Sequence, residues 1–422
     1  MYSWIALATI DDLSKIASRV GSEYGPEQAA ELLSGSMSSA VKAVLIEHDY
    51  VDKDYRSTYY NYYAKKGQFY RADCVRLHFF DETVSFDAAS LQLSSSIGDL
   101  QDHYFGFVVL RPTGLATIGR SIVSPDVRNG ACRFIISAEH KVHILGYRLA
   151  ISGFPWMAQH SDISVCAHAA CWAILRHYSE CYSLYREYLT FDVTMMAQEF
   201  NPGGLVPSLG LHIGHVERVF QAAGTFPVHV TRTDPHDVSF RRQLLAYVDS
   251  RFPAFAAIQG DHAVAIVGYE WKEKSTTPFA GLKYASDELA SLAVNDDNFL
   301  PYLPISDTSV EPYQIQDIDS FIVPLPEKIH YPADAVDRLG PSLFKAADLL
   351  GIELPKPEES IIRYFITTGS TFRQFVRKHA SEHSTKLLEL AMNLPFAQFV
   401  WVVEIATKEA WDSNKVVARA LI

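Results

Sequence analysis

The stretch that most constrains this chain runs from Gln159 to Trp172, QHSDISVCAHAACW. Cys166 is followed by the small residues Ala167, Ala169 and Ala170, and then by Trp172, Ala173, Ile174 and Leu175. Such a run fits a buried helix with the thiol in its first turn. There the unpaired amide N–H groups and the positive end of the helix dipole favour a thiolate. Gln159, seven residues upstream of Cys166, is placed to offer its side-chain amide to an oxyanion.

A thiol needs a base, and His262 follows 96 residues later in GDHAVAIVGY. It stands at the edge of an apolar, β-branched run, Ala263 to Tyr269, that reads as a strand. Further on, SLAVNDDNF reads as another strand ending in Asn295, Asp296 and Asp297. A carboxylate or amide there orients the imidazole through its second nitrogen. The order Gln, Cys, His, Asn/Asp is what a thiol acyl-transfer site requires.

These segments resemble the papain-like superfamily of cysteine peptidases. HAVAIVGY is similar to the His-bearing strand of papain-type enzymes, and Gln159 to Cys166 to their oxyanion glutamine and nucleophile region. The stretch also resembles bacterial peptidases of the bacteriocin-leader type. The matched residues lie between about 155 and 305 and make up roughly a tenth of the chain. The resemblance implies an α+β fold: a papain-like two-lobed catalytic domain, with a helical lobe and an antiparallel sheet lobe. It implies a cysteine peptidase that hydrolyses a peptide or isopeptide bond in a protein substrate. The site would be Cys166 as nucleophile, His262 as base, Asp296 or Asn295 as third member and Gln159 at the oxyanion, with no metal or organic cofactor. An acyltransferase or transpeptidase on the same site, or a catalytically silent binding module, are the alternatives.

Two assignments carry a competitor. Cys171 stands directly before Trp172, as papain-type nucleophiles do, but it is twelve residues from Gln159. It also falls more than a turn into the helix, where the backbone N–H groups are already bonded. The third member is Asn295 by a papain-like alignment and Asp296 by analogy with leader-type peptidases. Neighbouring strand residues point to opposite faces, so only one can serve, and the choice leans to Asp296. The gap of 33 or 34 residues after His262 is longer than in compact papain-type enzymes, which places an insertion near 271–290. His160 and His168 are close to Cys166 in sequence but badly placed to serve it.

A length of 422 residues allows about two or three domains at ~150 residues each. The expected division is an N-terminal α+β domain over 1–150, the catalytic domain over 151–325 and a mostly helical region over 326–422. A net charge of −12 argues against a nucleic-acid partner, because phosphate binding relies on Lys and Arg. Five cysteines, an odd and sparse number, fit a reducing compartment. The start, MYSWIALATIDDL, lacks a basic leader region and reads as cytoplasmic. No apolar run approaches the ~18–20 residues of a membrane span. The expected partners are a protein or peptide substrate and a regulatory protein acting through the N-terminal domain, with no membrane.

Elsewhere the pattern is coarser. Asp11 or Asp12 caps a short helix, Pro26 starts a second, and Val41 to Ile46 is either a strand or a helix end. Tyr55, Tyr59 and Tyr62 or Tyr63 fall at helical spacing, as an amphipathic face packed at the domain surface or as an aromatic binding face. Strand-like runs cover 74–80, 103–110, 131–137 and 142–151. The helix from Cys166 is expected to reach about Leu189, and another ends at Gly224. A loop follows Asn201 to Gly204. The pairs His140/His143 and His212/His215 lack the further ligands of a metal site. Prolines at 324, 326, 332 and 341 mark a linker-like passage before helices near 341–350 and 371–392, and FVWVVEIA (399–406) reads as a buried strand.

Overall fold

The computed structural model describes every residue except 1, 82–85, 88–91, 94–96, 115–116, 160–165, 200–210, 235, 275–280, 328, 330 and 383. His160, the loop at Asn201 to Gly204 and part of the expected insertion therefore lie outside the described residues. The chain is a mixture of helices and sheets that pair largely antiparallel, an α+β protein. It gathers into two compact units. The first comprises residues 1–229, 253–268 and 291–326; the second 230–252, 269–290 and 327–422.

In the first unit, five strands form an antiparallel sheet. Their order is Tyr2–Ala6, Ala43–Tyr50, Cys74–Phe80, Tyr104–Leu110, Ile118–Val123. The ambiguous Val41 to Ile46 segment is thus a strand. Cys74–Phe80 is buried along its whole length. Its two polar residues are satisfied from the neighbouring strands. Arg76 Nε donates to Glu47 at 2.7 Å, and His78 lies between Tyr104 (3.0 Å) and Glu47 (3.3 Å). Buried polar groups paired in this way avoid the desolvation cost of an unmet hydrogen bond. The tyrosine-rich helix, Lys53–Asn61, is capped by Asp52 and puts Tyr55 into the core beneath the sheet.

The run 142–151 is two strands, not one. Ala138–Ile144 and Tyr147–Gly153 form a hairpin whose turn residues, Leu145 and Gly146, both have positive φ. Burial alternates along Ala138–Ile144, so His140 faces inward and His143 outward, and the two do not converge. The run 131–137 contains only the short strand Phe134–Ile135.

A second sheet orders its strands as Phe226–Thr231, Ile318–Leu325, Ala254–Ile258, His262–Trp271, Leu289–Asn295, Leu303–Ile305. His262–Trp271 is buried from Ala263 to Tyr269, which explains its continuous apolar run. The turn before it contains Gln259 and Gly260 at positive φ, so His262 follows a tight reversal. Phe134–Ile135 also pairs with this strand. A side chain at Gly268 would meet the Phe134 carbonyl at 2.2 Å, so the close approach requires glycine there.

The second unit contains the helix Val238–Asp249 and a four-stranded sheet, so the C-terminal region is not helical alone. Lys283–Tyr284 runs parallel to Ser360–Thr368, which pairs antiparallel with Phe399–Thr407 and that in turn with Ala418–Leu421. FVWVVEIA is a strand of this sheet. Arg363 ties the helix to it, with two 2.7 Å bonds to Asp249 and one of 3.3 Å to Glu404. No helix among the described residues is long and apolar enough to cross a membrane.

Candidate active site

Three elements of the first unit deliver the site. The helix Cys166–Cys181 has Cys166 as its first residue and is buried along most of its length. Trp172 anchors it, donating to Asp54 Oδ1 at 2.9 Å. Cys166 is partly exposed and Cys171 fully buried. Burial raises the Cys171 thiol far from the ionising range, which suits a core residue and not a nucleophile.

His262 stands between a thiol and a carboxylate. Its Nε2 lies 2.9 Å from Asp296 Oδ2, and the Cys166 side chain is near enough to favour its charged form. Burial opposes a charge on this ring, but the bonds to Asp296 and Cys166 outweigh it and hold the imidazole up to about 10. The charged form of the ring is thus favoured.

Asp296 follows directly on the strand Leu289–Asn295 and is buried. Besides His262, Tyr313 donates its hydroxyl to Oδ2 at 2.9 Å. Asn298 donates its backbone N–H and side-chain amide to Oδ1 at 2.8 and 3.1 Å. Against the cost of burial, these bonds and the His262 charge keep the carboxyl below its ordinary range. The Asp296 carbonyl accepts the Trp156 indole N–H at 2.7 Å. Trp156 is itself paired through its backbone with Ser121 of the N-terminal sheet. The N-terminal sheet thus reaches the backbone behind the third member of the site.

Asn295 is turned away to a structural task. Its Oδ1 accepts the Tyr302 N–H at 2.9 Å and its Nδ2 donates to the Pro155 carbonyl at 3.4 Å. Gln159 is half-buried, and its carbonyl accepts from Arg111 at 3.5 Å. The residues between it and Cys166 are outside the described ones. His168 is buried in the helix and pushed down to about 4 by desolvation.

Asp297 is a second carboxyl at the site. Its Oδ1 is 3.9 Å from His262 Nε2, and its Oδ2 has no hydrogen-bond partner among the described residues. Burial and the neighbouring Asp296 push it up to about 7. It shares with Cys166, Trp156 and Ala263 the lining of a cavity of about 10 Å³. His262, Asp296 and Asp297 place ligand atoms within 4.8 Å of one another, as a cation site would. The nearest of these atoms, His262 Nε2 and Asp296 Oδ2, are however bonded to each other.

Sequence reasoning missed Trp156, Asn298, Tyr313 and the position of Asp297. Asn298, two residues after Asp296, carried a local signal, since an aspartate accepting from the N–H two residues on is a common turn. Tyr313 carried none. No protein-family model matches the chain, and no curated protein matches it significantly.

Proposed function

We propose that the chain is a cysteine peptidase that cleaves a peptide or isopeptide bond in a protein substrate. The observation that carries this reading is the His262 ring, bonded through Nε2 to Asp296 and with its charged form favoured by Cys166 at the start of the buried helix. A helix N-terminus under the thiol and a cationic ring beside it are the two surroundings that activate cysteine. A helix bearing the thiol, followed by an antiparallel sheet bearing the base, also supports a papain-like two-lobed catalytic domain.

In the proposed reaction the Cys166 thiolate attacks the carbonyl carbon, and the electron pair of its π bond moves to oxygen. The Cys166 N–H and the Gln159 side-chain amide stabilise that oxyanion. As the tetrahedral adduct collapses, the C–N bond breaks and the ring proton passes from His262 to the leaving amine, giving a thioester. The neutral ring then takes a proton from water. The hydroxide adds to the thioester, and the thiolate leaves as the ring regains its charge. Asp296 holds the ring in place throughout and offsets its charge.

The test is mass analysis after treatment with a thiol-reactive epoxide near neutral pH. Single labelling at Cys166, lost in His262→Ala, is the expected outcome. Labelling at Cys171, or no cysteine reacting faster than in denatured protein, would overturn the reading.

A further inference from the structure

Near the far end of the nucleophile helix, the first unit contains a cavity of about 350 Å³. That volume is typical of a small-molecule site. Its lining includes Arg76, Arg120, Arg176 and Lys141, against the carboxylates Glu47 and Glu180. Four cations line this one wall, with Glu47 and Glu180 beside them and Asp52 and Glu187 pairing Arg120 and Arg176 as well.

The guanidinium groups are fixed in place. Arg76 donates to Glu47 at 2.7 Å and to the His143 carbonyl at 2.8 Å, and stacks on Tyr50 with its guanidinium carbon 4.1 Å from the ring centre. Arg120 donates to Asp52 at 3.1 Å and to the Tyr50 hydroxyl at 2.8 Å. Arg176 pairs with Glu180 at 3.0 Å and also with Glu187. The bonds of Arg76 and Arg120 run through Nε and Nη2, and among the described residues none engages their Nη1 donors. The cations also oppose one another. After burial, Arg120 is the largest influence lowering Arg176, and the two together help push Lys53 down to about 8.

We propose that this cavity binds a small organic anion bearing two or more anionic oxygens. Planar guanidinium forks match phosphate and carboxylate oxygens in pairs. The volume exceeds what a bare inorganic ion fills, and Tyr50 and Phe107 offer an aromatic wall for an organic body. Arg176 lies ten residues beyond Cys166 on one helix, or about 15 Å along its axis. The site is therefore separate from the thiol, and the inference does not depend on the proposed peptidase reaction.

Calorimetric titration of the full chain with inorganic pyrophosphate and with citrate, against chloride at matched ionic strength, tests it. Saturable one-site binding of either anion below about 5 mM is expected. Pyrophosphate alone would mark the natural ligand as a phosphate, citrate alone as a polycarboxylate, and both as either. Lys141 is exposed at the rim, so Lys141→Glu leaves the fold intact and is expected to weaken binding at least about tenfold. Lys345→Glu, on the helix Ser342–Leu349 of the second unit, should leave it unchanged. No saturation by either anion, or equal binding by wild type and Lys141→Glu, would overturn the proposal.

Discussion

Two histidines of the first unit, one half-buried and one buried, are driven in opposite directions. His262 is held up to about 10, whereas His140 is pushed down to about 3. Burial opposes the charged form at both. At His262 a carboxylate and a thiol reverse it. At His140 Arg176 and Arg120 add to it. Cys166 and Arg176 lie on one helix, so a single element serves a cationic ring near its start and a neutral one further along. The difference teaches that where burial opposes a histidine's charge, its partners decide which way the ring goes.

The sharpest way to break the comparison is to remove one of the groups that hold the charged ring. Cys166→Ala and His262→Ala are each expected to lower peptidase kcat/KM by about 10³-fold or more, and the double variant little further. Steady-state kinetics on a peptide library would check this. Independent, multiplying losses would show that the two do not act as a unit.

Asp296→Asn removes the charge while keeping the shape. A loss of about 10²- to 10³-fold in kcat is expected, because the ring loses both its orientation and the offset to its charge. The His262 titration, followed by NMR, should move down from about 10. Asn295→Ala, by contrast, should lower stability through the lost Tyr302 and Pro155 bonds and leave the ring titration in place. The reverse pattern would exchange the roles of the two residues.

How far this was legible depended on whether a residue's task was local. The Cys166 helix and the His262 strand were legible because their small-residue and β-branched runs can only be buried. The helix ending at Gly224 was legible from its stop signal. The hairpin over 138–153 was not, because its turn uses Leu145 at positive φ instead of an Asn-Gly or Asp-Gly pair. The helix from Cys166 ends at Cys181 without a Gly or Pro to announce it, short of the expected Leu189. Strand Ser360–Thr368 was hidden by Arg363, a charge in an apolar run whose partners Asp249 and Glu404 are distant in sequence. At the site, the candidates flanking His262 were named in advance, but Tyr313 and the Trp156 support come from segments that have no periodicity.

The neutral histidine can be tested through stability. His140 has its folded value depressed below the ordinary 6.5, so its contribution is fully present above that pH and is lost as pH falls through about 3. His140→Asn, which cannot gain the charge, should flatten the acid limb of the stability curve between these values relative to wild type. The difference should reach a few kcal/mol at the acid end. Denaturant unfolding at stepped pH would measure it. An unchanged acid limb would mean that His140 is protonated in the folded protein and that the contrast with His262 fails.

The smallest effect concerns Asp297, which shares the neighbourhood of His262 without sharing its hydrogen bond. Its folded value is raised from the ordinary 3.8 to about 7, by burial first and by Asp296 second. The sign is then opposite to that of an ordinary paired aspartate. Its contribution is fully present below about 4 and is lost as pH rises through about 7. Asp297→Asn fits the same space and cannot ionise. It is expected to stabilise the protein by about 1–2 kcal/mol above pH 7 and to leave it nearly unchanged at pH 4. Asp296 remains bonded to His262, so kcat at pH 8 should change by less than about threefold. A large loss of rate in Asp297→Asn, with stability unmoved, would instead make Asp297 the carboxylate that His262 depends on. Asp296 would then be left to hold Tyr313 and Asn298.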